Sequence, residues 1–239
     1  LTLPTSNGKI TAKQVDTLIQ EHYSDASSEH TVQPGIVYIS FPTESGTLYS
    51  KQELTELYTV CQNHNIPLFI DGARLGYGLV AKKNDVTFED IANLCDVCYI
   101  GGTKVGALFG ECIVILNDLY KKDFRYAIKQ HGGMLAKGRM LGIQFEELFK
   151  DNRYLTISKH AIDMADILTE GFQSKGYHFY FPAETNQLFP IFENAKLEEL
   201  SKEFAFTPWA KIDETHTAVR FVTSFATKRK NIEYLLTKI

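Results

Sequence analysis

Apolar positions change their period several times along the chain, and the changes divide it into helices and strands. Val15, Leu18 and Ile19 fall at helical spacing behind Thr11-Ala-Lys-Gln14, which has the spacing of a capping box. Ser50-Lys-Gln-Glu53 is a second such box, and Leu54, Leu57, Tyr58 and Cys61 behind it share one helix face. Between these helices, Ile36-Val-Tyr-Ile-Ser40 is a short β-branched run that reads as a buried strand. Ile66 to Ile70, Val97 to Ile100 and Cys112 to Leu116 read the same way, with a short helix from Phe88 to Leu94. Strands apolar on both faces and separated by helices predict an α/β fold with a parallel or mostly parallel sheet covered by helices.

The second half changes character. Gly132 and Gly133 precede a helical pattern through Leu141, Phe145, Leu148 and Phe149, continued by a helix from about Tyr154 to Lys175. Tyr177 to Phe181, Gln187 to Phe192 and Val219 to Ser224 are the expected strands, with helices near Lys196 to Phe204 and from Lys228 to the end. This order predicts a small C-terminal α+β domain. The expected division is 1–135 for the large domain and 136–239 for the connecting helices and the small one.

Composition narrows the function classes without naming one. The 239 residues are 44% hydrophobic and carry a net charge of −4, with no basic block beyond Lys228, Arg229 and Lys230, which argues against nucleic acid as a partner. No apolar stretch is long enough to span a membrane. Four cysteines without a secretory pattern suggest reduced thiols in a cytoplasm. Cys95-x-x-Cys98 has the spacing of a redox or metal pair. No second pair exists and alternation in a strand separates side chains three apart, so both read as core and no metal is expected.

Two motifs carry candidate chemistry. Ile70-Asp-Gly-Ala-Arg74 sets a carboxylate at the C-terminal end of a buried strand, the edge where open α/β sheets bind ligands, with an arginine fork beside it. The alternative is a structural Asp–Arg pair closing a turn. Tyr99-Ile-Gly-Gly-Thr-Lys104 ends a second strand on a lysine flanked by glycines, with neither Walker nor dinucleotide spacing. Such a lysine either binds a phosphate or acts as a nucleophilic amine. Asp71 and Lys104 end two strands of one sheet and can face one cofactor.

That pairing resembles the threonine aldolase / aromatic amino acid β-eliminating lyase family of pyridoxal-phosphate enzymes, with the aspartate-aminotransferase-like fold. The residues that carry the resemblance are Asp71 to Arg74, Gly102-Thr103-Lys104, Phe41-Pro-Thr-Glu-Ser-Gly-Thr47, and Arg220 within Val219-Arg-Phe-Val-Thr223. The resemblance implies pyridoxal 5′-phosphate as cofactor, held covalently by Lys104 and paired at its ring nitrogen with Asp71. It implies that Arg74 and Arg220 clamp the substrate carboxylate and that Thr103 hydrogen-bonds the phosphate. The implied reaction splits the Cα–Cβ bond of β-hydroxy-α-amino acids such as threonine into glycine and an aldehyde. The implied setting is a cytoplasmic homodimer or homotetramer acting on a small amino acid. β-Elimination from aromatic amino acids and a catalytically silent binding domain are the alternatives.

Other candidates stand beside bland readings. His30 is matched to a family histidine near the β-hydroxyl, against the reading of an ordinary surface or core histidine. Glu44 either lies near the cofactor or caps a turn. Lys137 and Arg139 either reach a phosphate across a subunit interface or form a solvated helix face. The opening Leu1-Thr-Leu-Pro4 resembles the family well past its glycine-rich phosphate turn and its ring-stacking residue. The expectation is therefore of a chain lacking the family's N-terminal portion, exposing apolar surface and inactive alone.

Overall fold

The first two long helices begin where the polar spacing placed them. In the computed structural model, which describes residues 1–239, α1 (Ala12–Ser24) and α2 (Lys51–Asn63) each start on a capping box closed in both directions. Thr11 and Ser50 accept from the backbone of Gln14 and Glu53, whose side chains return the contact. Both helices bury the stripe that the period marked: Val15 and Ile19 on α1, Leu54, Leu57 and Cys61 on α2.

These stripes cover one face of a four-stranded sheet in which β1 (Val37–Ser40), β2 (Leu68–Gly72), β3 (Val97–Gly101) and β4 (Glu111–Ile115) lie in sequence order. The first three strands run parallel and β4 is antiparallel to β3. The helical crossover through α2 carries the chain back between β1 and β2. Between β2 and β3 lie the short α3 (Leu75–Leu79) and α4 (Phe88–Asn93). Val37, Ile39, Leu68, Ile70 and Cys98 point into this covered face and are buried with the stripes of α1 and α2.

Helices cover one face of this mostly parallel sheet, and exposed apolar surface of the kind expected lies on the other. The opposite face carries Tyr38, Phe69, Tyr99 and Ile113, and Tyr38 and Ile113 are 54% and 47% exposed. Cys95 and Cys98 are both buried in the covered core, as read. Strand alternation does not apply to the pair, because Cys95 precedes β3, and its thiol donates to the Ile91 carbonyl at 3.1 Å. A buried carboxylate fastens the opposite, N-terminal edge of the sheet. Asp96 accepts from the Leu68 N–H at 2.9 Å, Asn117 Nδ2 at 2.7 Å and Gln62 Nε2 at 3.3 Å.

After α5 (Phe124–Gln130) and α6 (Arg139–Phe149), the long α7 (Arg153–Ser174) serves both halves of the molecule. Its first half packs Tyr154, Ala161 and Ile162 with Tyr77 and Val105 of the large sheet's ligand edge. Its second half gives Met164, Leu168 and Phe172 to the C-terminal core. That core lies on a sheet centred on β8 (His216–Val222), paired on one side with β7 (Thr207–Lys211). On its other side lie β5 (Gln187–Leu188) and β6 (Ile191–Glu193). The expected single strand from Gln187 to Phe192 is thus broken at Phe189-Pro190, where proline has no N–H for the ladder. The expected strand at Tyr177 to Phe181 reduces to one bridge, Phe179 to Pro190. Helices α8 (Asn194–Leu200) and α9 (Arg229–Lys238) close the domain. No helix is long and apolar enough to cross a membrane.

Candidate active site

Asp71 and Lys104 reach one edge because β2 and β3 are parallel neighbours. Asp71 pairs in register with Tyr99, and Gly72 with Ile100, so both strands end together. The two loops that follow are in backbone contact. A Cβ added at Gly101 would lie 2.3 Å from the Ala73 carbonyl oxygen, and one at Gly72 would lie 2.2 Å from that of Tyr99. Only glycine allows this approach. Beyond it, Gly102 and Val105 are buried and anchor a single 3₁₀ turn, Thr103–Val105, from which the Lys104 residue is exposed. The Tyr77 hydroxyl donates to the Lys104 carbonyl and holds the turn from below.

The partners of the Asp71 carboxylate are neutral. It accepts from the Ala73 N–H at 2.9 Å and from the Tyr38 hydroxyl, with Tyr99 paired to Asp71 across the strands. Partial burial, with the carboxylate adding to it, pushes the Tyr38 hydroxyl up to about 12 and raises that of Tyr99 as well. Both phenols therefore keep their protons at neutral pH, and towards a carboxylate they can only donate. The protein thus gives this half-buried carboxylate neutral donors and no cation of its own.

Arg74, capping the start of α3, donates from Nη1 to Glu44 Oε1 at 2.9 Å. Arg220 on β8 reaches the same carboxylate, its Nη1 lying 3.8 Å from Glu44 Oε2. The guanidinium also lies 5.6 Å over the Trp209 ring and contacts Gln187 Oε1 at 3.4 Å, while its buried Nε finds no hydrogen-bond partner. Both domains thus contribute an arginine to one place.

Five of the six predicted site residues come to this edge: Asp71, Arg74, Thr103, Lys104 and Arg220. Thr103 donates to the Gly110 carbonyl at 3.4 Å. His30 does not come here. Helix α1 runs alongside α2, with Lys9 just before α1 on Glu53 at the start of α2, and Asp16 in the first half of α1 on His64 at the end of α2. The chain therefore delivers His30 beyond the N-terminal edge, where it is exposed beside Glu29. Lys137 and Arg139 are also exposed, before and at the start of α6. Sequence reasoning missed Gln187, Trp209 and Tyr38. Tyr38 and Tyr99 had a usable signal, since both share the alternation phase of Asp71 in their register, whereas Gln187 and Trp209 had none.

A family model described as beta-eliminating lyase matches residues 1–195. The chain belongs to the beta-eliminating lyase family. Within the structures similar to it, a threonine aldolase of Leishmania major is 41% identical with a TM-score of 0.94, the match covering 99% of this chain and 68% of that one. The low specificity L-threonine aldolase of Pseudomonas sp. (strain NCIMB 10558) is 30% identical over 204 residues, 84% of this chain and 57% of the relative. The chain thus spans little more than half the length of that relative. A double mutant of Thermus thermophilus aspartate aminotransferase shares the fold alone, at 16% identity and a TM-score of 0.62 over 88% of this chain and 58% of that one. The cofactor of this lyase family is pyridoxal 5′-phosphate, and the residues fit it. A carboxylate with neutral partners suits a pyridinium, and an exposed lysine one strand away suits an aldehyde.

Proposed function

We propose that this chain forms the cofactor-binding and carboxylate-binding part of a lyase that splits β-hydroxy-α-amino acids of the threonine type into glycine and an aldehyde. The observation that carries the proposal is the pairing of Asp71 and Lys104 at the ends of adjacent parallel strands. The threonine aldolases among the relatives support aldol cleavage over the β-elimination in the family's name.

Pyridoxal phosphate, when bound, supplies an aldehyde for the amino group and a ring that withdraws electrons from a bond at Cα. Lys104 presents the amine that would hold that aldehyde. Asp71 would hold a proton at the ring nitrogen, with Tyr38 and the Ala73 N–H orienting its oxygens. Arg220, seated against Trp209, takes the α-carboxylate, and Arg74 flanks it. By holding the α-carboxylate, Arg220 and Arg74 would restrict which bond at Cα the cofactor acts on.

The test is borohydride reduction of the assembled enzyme with pyridoxal phosphate, followed by peptide mapping, and an aldehyde assay with threonine. A reduced adduct on Lys104 together with acetaldehyde formation is expected. An adduct on another lysine, or none, would overturn the assignment.

A further inference from the structure

Glu44 is the exposed tip of an otherwise buried turn. Phe41, Pro42 and Thr43 before it and Ser45 to Tyr49 after it are all buried. The turn is closed by Thr43 N–H to Thr47 C=O at 3.0 Å and Gly46 N–H to Thr43 C=O at 2.9 Å. It is tied to the small domain by Thr185 Oγ1 on the Gly46 carbonyl at 2.9 Å and by the Leu48 N–H on Glu184 Oε2 at 3.0 Å. Gln187 Nε2 reaches the Glu44 carbonyl itself at 3.3 Å. The backbone is therefore set, and it sets the Glu44 carboxylate between Arg74 and Arg220.

The two contacts are unequal. Arg74 has a hydrogen bond to Glu44 at 2.9 Å and is only 11% exposed, so its charge is answered within the protein. Arg220 stands 3.8 Å from the same carboxylate, and its Nε is buried and unpartnered. Two guanidinium charges less one carboxylate leave a single positive charge at the place where the domains meet. A site of that balance accepts one carboxylate and resists a second.

We infer that Glu44 is a specificity-determining residue: by neutralising Arg74 it restricts the two-arginine site to amino acids with one carboxylate and excludes those with an acidic side chain. The inference rests on the proposed reading of Arg74 and Arg220 as the carboxylate site. Glu44→Gln keeps an oxygen for the Arg74 N–H while removing the charge, and the side chain is 61% exposed, so the fold is retained.

L-Threonine and L-aspartate are similar in size and differ in that second carboxylate. Their affinities for the full chain, measured by titration calorimetry with the Arg220 Nε–H resonance marking the location, test the inference without turnover. The wild-type chain binds threonine more tightly than aspartate. Glu44→Gln shifts the ratio of dissociation constants towards aspartate by about tenfold, equivalent to ~1.4 kcal/mol. A ratio unchanged within about twofold overturns the role of Glu44 while leaving the arginine site intact. Arg220→Lys separates the two ideas, because it weakens both amino acids if Arg220 receives the carboxylate. Unchanged threonine affinity in Arg220→Lys, or no binding by the wild-type chain, removes the carboxylate-site reading and this inference with it.

Discussion

The Tyr154 hydroxyl donates to the Gly101 carbonyl at 2.9 Å and accepts from the Gly76 N–H at 3.2 Å. One buried side chain in the first turn of α7 thus fastens both ligand-edge loops, the one after Asp71 and the one before Lys104. Burial holds its hydroxyl well above the usual tyrosine range, so it remains a donor across the physiological span.

Tyr154→Phe removes that donor and acceptor while keeping the ring. Two buried backbone groups lose their partner, at a cost of about 1–3 kcal/mol. Denaturant unfolding should show that loss, and amide exchange should rise at Gly76 and in the loop around Lys104. Unchanged exchange at both would mean that the loops are held by something else.

Asp71→Asn should separate chemistry from folding. An asparagine oxygen can still accept from the Ala73 N–H, and no buried cation is left unpaired, so the melting temperature should move little. Turnover of threonine in the assembled enzyme should fall on the order of 100-fold or more, because a neutral amide does not hold a proton on a pyridine nitrogen. Near-normal turnover would contradict the role given to this carboxylate.

Asp96 offers the opposite balance. Its carboxylate is 1% exposed and every partner is a donor: the Leu68 N–H, Asn117 Nδ2 and Gln62 Nε2. Asp96→Asn turns one acceptor into a donor facing donors and should cost about 1–3 kcal/mol in chemical denaturation. The ligand edge lies across the sheet, so borohydride labelling of Lys104 should persist under native conditions.

Alkaline pH should weaken the fold through its buried thiols. Burial pushes the Cys61 thiol up to about 12, from an ordinary value near 9. A group whose folded value is raised gives stability that is full below the unfolded value and is lost as pH climbs to the folded one. In that window the unfolded chain has released the proton that the folded chain still holds. Unfolding free energy should therefore fall between about pH 9 and 12, by ~1.4 kcal/mol per pH unit for each such thiol. Replacing Cys61 by alanine should reduce the slope of the unfolding midpoint against pH between about 9 and 10, below the range where buried tyrosines join in.

Gly101→Ala tests the contact between the loops. Its new methyl would meet the Ala73 carbonyl oxygen at 2.3 Å, a backbone atom that cannot rotate away. Destabilisation of about 1–3 kcal/mol is expected, together with loss of the Lys104 adduct in proportion to how far its turn is displaced. A stable variant with full labelling would show that the two loops need not touch.

Local signals were enough for the helices and for the strand ends that matter. Each capping box pairs residues three apart, and the apolar stripes behind them repeat within a few turns, so α1 and α2 depend on nothing distant. The same holds for Asp71 and Lys104. Each follows a short apolar run, and parallel order then puts both at one edge. The pieces of the small domain were harder, because Pro190 divides a run whose apolar pattern is continuous and its effect depends on the ladder it meets.

What tertiary structure alone decided is everything that joins residues far apart in the chain. Glu44, Arg74 and Arg220 come from three segments, and no period or spacing relates them. His30 has a sequence environment compatible with a site, yet the direction of α1 delivers it to the wrong edge of the sheet. Which face is open was also decided in three dimensions: exposed apolar surface was expected, but apolar alternation reports which side chains avoid water and not what covers them, so only the fold places it at Tyr38 and Ile113. Hydrophobic period and capping are short-range quantities written in neighbouring residues. Charge balance between domains is a long-range one, and it exists only once β8 has brought Arg220 to the turn that carries Glu44.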